Sequence, residues 1–159
     1  MDPSPVQTDA DIIQQWVSFM LGDETYAIDV MQVQEVIKSV EITPVAGSRH
    51  YVLGVINLRG NIVTVIDARS RFNLMPIETT RDTRIILVEA KDQVVGVLVD
   101  RVEEVMQVSQ MQIESAPSVT STEVSGNIQG VTTRNNALVE FVDLDKLLAA
   151  DSSEEADLF

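Results

Sequence analysis

Residues able to do covalent or acid–base chemistry are few in this sequence, and their spacing suits it poorly. The only histidine, His50, follows a hydroxyl by two places in Ser48-Arg49-His50-Tyr51. A serine nucleophile with an imidazole base would also need a nearby carboxylate to orient the ring. We read His50 instead as a loop residue packing beside Tyr51. Asp67 and Asp143 are the other pair worth weighing, as acid and base. Each ends a strand-like run, however, and is placed to cap the segment that follows. There is no cysteine, hence no disulfide frame, thiol nucleophile or Cys-based metal site, and a lone histidine excludes a two-His pocket within one chain. Phosphate-loop and EF-hand spacings are missing too. Trp16 reads as core or groove wall rather than a stacking platform. No catalytic residue, cofactor or metal is expected. What remains is recognition by contact.

The elements that would position a recognition surface must come from 159 residues, enough for one domain or two very small ones sharing an interface. The net charge of −14 argues against nucleic acid, which is bound through clustered Lys and Arg. Acid is uneven along the chain. Residues 1–14 and 151–159 hold 7 of the 25 acids and no base, which leaves 18 acids against 11 bases in between. The two ends read as flexible acidic tails. Arg59, Arg69, Arg71, Arg81 and Arg84 fall in one stretch, which predicts a local basic area facing a protein partner. No apolar run approaches the roughly 20 residues that span a bilayer, and the N-terminus lacks a signal peptide's basic and apolar regions. A cytoplasmic protein without direct membrane insertion is expected.

Val (24) and Ile (13) are abundant, and β-branched side chains favour strands. Strands are predicted over 16–21, 25–30, 52–57, 61–67, 84–89, 93–99 and 137–142, separated by turn residues such as Gly22-Asp23, Lys91-Asp92 and Arg59-Gly60-Asn61. Short helices are predicted around Val33, Val36 and Ile37, around Val102, Val105 and Met106, and from Asp143 to 150.

The chain also repeats itself. Residues 17–37 align without gaps on 86–106, matching Asp23 with Asp92, Val30 with Val99, Val33 with Val102 and Glu35-Val36 with Glu104-Val105. Residues 54–67 align on 130–143, matching Gly54-Val55 with Gly130-Val131 and Asp67 with Asp143. Two blocks in the same order indicate a duplicated unit of four or five short strands, the size of a small barrel. The expected division is 15–82 for the first barrel and 83–150 for the second, the latter ending in a helix over 143–150.

Several strings then carry a family resemblance: Val33-Gln-Glu-Val36-Ile37, Ile42-Thr-Pro44, Gly54-Val-Ile-Asn-Leu-Arg-Gly60, Ile62-Val-x-Val-Ile-Asp67, Val95-Gly96-Val97-x-Val99-Asp100-x-Val102 and Val142-Asp143-Leu144-x-Lys146-Leu147-Leu148. Over about 15–150 the chain resembles the CheW family of chemotaxis coupling proteins. The resemblance implies a mainly β fold, two SH3-like five-stranded barrels with short helices around a shared inter-barrel core. It also implies an adaptor that joins chemoreceptor (methyl-accepting chemotaxis protein) cytoplasmic tips to the regulatory domain of the histidine kinase CheA, recruited to membrane-associated arrays. Positions matching the family's receptor groove are Val17, Val30, Val33, Val36 and Val99; Glu35, Asn57 and Arg59 match polar positions linked to coupling. Kinase-contact residues are not legible. Ala68, Ala46 and Glu140 depart from the familiar pattern, Glu140 by putting a charge in a strand that alternation turns outward. The initial Met and both tails suggest a free-standing protein rather than a kinase's regulatory domain. A small-molecule carrier or enzyme using the inter-barrel cleft is the competing reading.

Overall fold

The computed structural model describes residues 12–115 and 127–149. Ten strands dominate them: β1 (Ile13–Leu21), β2 (Glu24–Asp29), β3 (Val33–Lys38), β4 (Val52–Leu58), β5 (Asn61–Asp67), β6 (Arg84–Ala90), β7 (Gln93–Val99), β8 (Arg101–Ser109), β9 (Ile128–Arg134) and β10 (Ala137–Val142). Helix α1 (Ala68–Arg71) follows β5, and α2 (Leu144–Ala149) follows β10. The N-terminal tail expected over 1–14 is too long by at least two residues, because Ile13 and Gln14 already pair with Ser109 and Val108. The rest of that tail and the acidic stretch 151–159 lie outside the described residues.

Two predicted helices are strands. Val33, Val36 and Ile37 lie on β3, and Val102, Val105 and Met106 on β8. Helical spacing misleads here because each strand carries a β-bulge. Val33 faces Val88 and Val36 faces Ile86, so three steps on β3 match two on β6. Val102 faces Phe19 and Val105 faces Val17 in the same way. One extra residue turns an i, i+3 pair to one face of a strand. In β8 the bulge is fastened by Ser18, whose hydroxyl donates to Glu104 O at 3.1 Å and accepts from Glu104 N–H at 3.2 Å.

The strands form two five-stranded sheets, ordered β8-β1-β2-β10-β9 and β3-β6-β7-β5-β4. The division at 82/83 therefore separates two copies but not two barrels. Each barrel takes its first and second strands from one copy and its third, fourth and fifth from the other. A 3-10 turn (Val30–Gln32), capped by the Asp29 carboxylate on Met31 N–H at 2.9 Å, leads from β2 of one sheet into β3 of the other. The two strand orders become identical when each strand is replaced by its repeat counterpart, so the duplication read from the sequence is also a duplication in space.

Both copies use the same close approach. Thr43 bridges to Val55 beside Gly54, and Glu114 bridges to Val131 beside Gly130. At Gly54 the incoming backbone fills the space where a side chain would begin, whereas at Gly130 the Ile113 side chain lies nearest, with Glu114 O beside it.

Apolar residues divide into three cores. Trp16, Ala27, Met106, Val108, Val139 and Phe141 fill one barrel. Ile56, Val63, Val65, Ile85 and Leu87 fill the other. The largest cluster lies between them and draws on both sheets, including Phe19, Tyr26, Ile28, Ile66, Ile86 and Val97. Aromatic contacts run through it from Phe19 to Tyr26 (5.8 Å) and on to Phe72 (4.7 Å). Leu144 and Leu147 of α2 are buried in this same cluster, and α2 packs against β6 of the opposite sheet.

Glu140 points away from its own barrel as alternation requires, but that direction leads toward the inter-barrel face, opposite Tyr26. It is only half exposed. Burial, with the Glu24 charge adding, holds its carboxyl above the usual range. A group with a raised folded pKa weakens the fold once both states are ionised. Glu140→Gln is therefore expected to raise the melting temperature at pH 7, with the gain vanishing near pH 4, as read by thermal denaturation at the two pH values.

Candidate functional site

The polar surface group begins with the turn between β4 and β5. Arg59 (φ 50°) and Gly60 (φ 86°) are both left-handed, as a two-residue hairpin turn of this type requires. Glycine accepts this freely; arginine seldom does. Asn57 makes the turn possible by accepting Gly60 N–H on Oδ1 at 3.0 Å. The tip carries Arg59 to β3, where its guanidinium meets the Glu35 carboxylate at 3.0 Å. Glu35, Asn57 and Arg59 thus come together at one edge, Arg59 with 69% of its side chain exposed. An ion pair so exposed adds about 0–1 kcal/mol to stability.

The second copy repeats the device. Arg134, beside the left-handed Asn135 and Asn136, reaches Glu104 at 3.3 Å. Glu104 is the repeat counterpart of Glu35, whereas Arg134 is displaced by one position from the counterpart of Arg59. The glutamate match is legible in the sequence, but the pair is not, because the arginines do not align.

The five predicted groove valines differ in exposure. Val17 and Val99 are buried, Val30 and Val33 are half-buried, and Val36 is 40% exposed. The bulge puts Val33 and Val36 on the face that carries Val88 and Ile86 into the inter-barrel core. Val105, the counterpart of Val36, is also exposed, at 55%.

Four of the five arginines of the predicted basic area are engaged by other groups of the chain. Arg59 is paired with Glu35, while Arg71 donates to Leu147 O at 2.9 Å and lies over the Tyr51 ring. Arg84 donates to the carbonyls of Arg81 and Thr83. Arg69 makes two hydrogen bonds to Asp100, at 2.6 and 2.8 Å, and Asp100 also accepts Gly22 N–H at 2.7 Å. One carboxylate thereby ties the β1–β2 turn, α1 and the end of β7. Burial would raise the Asp100 carboxyl, but the Arg69 guanidinium and the Gly22 N–H outweigh it and hold the group below its ordinary range.

Ser48, His50, Asp67 and Asp143, the residues weighed for chemistry, are each engaged locally. Ser48 donates its hydroxyl to Val45 O at 2.8 Å, and His50 sits edge-on to Tyr51 at 5.5 Å, as the loop reading expects. Asp67 accepts Arg69 N–H at 3.0 Å and Asp143 accepts Lys146 N–H at 3.2 Å, so both act as caps. No group of three or more metal-ligating side chains occurs among the described residues, nor is any helix there long and apolar enough to cross a membrane. The space between the barrels, where a catalytic cleft was the competing expectation, is filled by the large apolar cluster.

The family model for the CheW-like domain matches residues 15–152, nearly the whole chain. The chain belongs to the CheW-like family. Its relatives include the chemotaxis protein CheW of Bacillus subtilis, 37% identical over 143 residues that cover 90% of this chain and 92% of that one. CheW of Helicobacter pylori is 33% identical over 145 residues, covering 91% and 87%. Among solved structures, the scaffolding protein TtCheW of Thermoanaerobacter tengcongensis superposes with a TM-score of 0.80 at 32% identity, covering 88% of this chain and 95% of that one. The mainly β architecture of two five-stranded SH3-like barrels, expected from the resemblance, is the CheW architecture found here.

Proposed function

We propose that this CheW-like chain is a non-enzymatic chemotaxis adaptor that couples chemoreceptor cytoplasmic tips to the histidine kinase CheA. The observation that carries the reading is the near-complete CheW match on a fold whose polar group Glu35-Asn57-Arg59 is assembled at the surface. An arginine held in a left-handed turn, contributing little to stability, is a feature retained at binding sites more readily than elsewhere. Val17, Val30, Val33, Val36 and Val99 form the receptor groove in this reading. The buried pair gives it a rigid wall and Val36 an exposed anchor, and a receptor helix would engage it at i, i+3, i+4 and i+7 spacing. Recruitment to membrane-associated arrays then comes through these partners, with no membrane insertion by the chain itself.

Pull-down of the full chain with a receptor cytoplasmic fragment and with the CheA regulatory domain tests the proposal, and failure to bind either partner overturns it. Arg59→Ala is expected to shift stability by no more than about 1 kcal/mol while weakening receptor-fragment binding by about tenfold or more. Normal receptor control of the kinase by a well-folded Arg59→Ala would remove Arg59 from the site.

A further inference from the structure

The crossover from β2 to β3 sets an exposed sulfur beside the proposed groove. The chain has no cysteine, so thioethers are its only sulfur groups, and five methionines fall among the described residues. Met106 is buried in a barrel core, and Met20 is half-buried with its sulfur accepting the Thr25 hydroxyl at 3.1 Å. Met31, Met75 and Met111 are exposed, Met31 the most at 86%. Met31 alone of these stands between two proposed groove residues, Val30 and Val33. With Val30, Ile13, Gln14 and Asp29 it also lines a hollow of about 530 Å³. The turn itself is held by other groups: Asp29 Oδ1 accepts Met31 N–H at 2.9 Å, and Val30 O accepts Val33 N–H. A change at the Met31 sulfur therefore alters the surface and leaves the fold in place.

We propose that Met31 is an oxidation site that controls docking: hydrogen peroxide converts its thioether to a sulfoxide, which weakens the hold on the receptor tip. The inference rests on the adaptor reading for the identity of the docked partner. A sulfur lone pair attacks one peroxide oxygen, and the S–O bond forms as the O–O bond breaks. Sulfur gives two electrons to the peroxide. The proton on the transferred oxygen passes to the departing hydroxide, which leaves as water. The result is a change of polarity at a fixed place. A thioether is soft and apolar and adapts its shape to a partner's surface. A sulfoxide is polar, and its oxygen must shed water to lie against an apolar helix face that returns no hydrogen bond. Met75 and Met111 meet the same oxidant, but Met75 lies between α1 and β6 and Met111 on the turn after β8, neither between groove valines.

Graded peroxide treatment of the full chain, with peptide mass spectrometry to place each added oxygen, tests the proposal. Met31, Met75 and Met111 should gain oxygen before Met20 and Met106. Complete conversion of Met31 is expected to leave the melting temperature in place while weakening receptor-fragment binding by about tenfold or more. Met31→Leu keeps an apolar side chain of similar volume, so it should bind the fragment equally before and after treatment. A chain carrying Met75→Leu and Met111→Leu should still lose binding. Methionine sulfoxide reductases acting on both epimers should restore binding to the treated parent. Binding that survives full conversion of Met31, or that Met31→Leu loses to the same degree as the parent, overturns the inference while the adaptor reading stands. An untreated parent that fails to bind the fragment removes the adaptor reading, and the proposed control of docking with it.

Discussion

Gly54→Ala is expected to destabilise the chain by about 3 kcal/mol or more. Two independent obstacles meet at this position. Its φ of +147° lies where side chains are rarely tolerated, and a Cβ built there would fall 2.0 Å from Thr43 O and 2.9 Å from the Pro44 Cα. Both obstructing atoms are backbone, and Thr43 is held by reciprocal hydrogen bonds with Val55 at 2.9 Å, so relief requires breaking that bridge. Gly130→Ala, the repeat counterpart, should cost less, about 1–2 kcal/mol. Its closest obstruction is the Ile113 side chain at 2.5 Å, and only Glu114 O at 2.9 Å is main chain. Urea unfolding of the two variants in parallel checks both the size and the order of the effects. Equal losses would mean that the left-handed backbone at Gly54 contributes nothing.

Arg69→Leu is expected to cost about 2–3 kcal/mol at pH 7, somewhat below the range for fully buried pairs. The discount reflects partial solvent access, 13% for the Arg69 side chain and 18% for Asp100. The variant keeps the backbone N–H that Asp67 accepts but leaves Asp100 with Gly22 N–H as its one remaining donor. The pH dependence identifies the cause. Asp100 has a depressed folded pKa, so its contribution is present above the unfolded carboxylate value, near 4, and is lost as pH falls through the folded one. The gap between the parent and Arg69→Leu should therefore be widest at neutral pH and shrink below about pH 4. A gap that persists unchanged at pH 3 would assign the loss to packing of the arginine stem.

Much of this molecule was legible from residue types. Seven strands came from Val and Ile runs bounded by turn residues, and β5, β7 and β10 were located to the residue. The capping roles of Asp67 and Asp143 and the packing of His50 beside Tyr51 are legible there as well. These features depend on local chemistry, which a linear sequence carries. The strands β3 and β8 carry helix-like spacing in the sequence, because a bulge is invisible without the partner strand against which the extra residue is counted.

The sequence by itself determined a duplicated, strand-rich chain without cysteine and with one histidine, since composition and repetition need no third dimension. Only the tertiary structure decided how the copies share their strands. Taken alone, the β1–β2 hairpin has two edges that the third and fifth strands of either copy could satisfy, because backbone hydrogen bonding is the same for both. Pairing with the other copy's third, fourth and fifth strands places Phe19, Tyr26 and Ile28 opposite Ile66, Ile86 and Val97 in one large apolar cluster. Long-range burial chose between two locally equivalent ladders. The same choice drew Arg69, just after β5 of the first copy, inward to Asp100, just after β7 of the second.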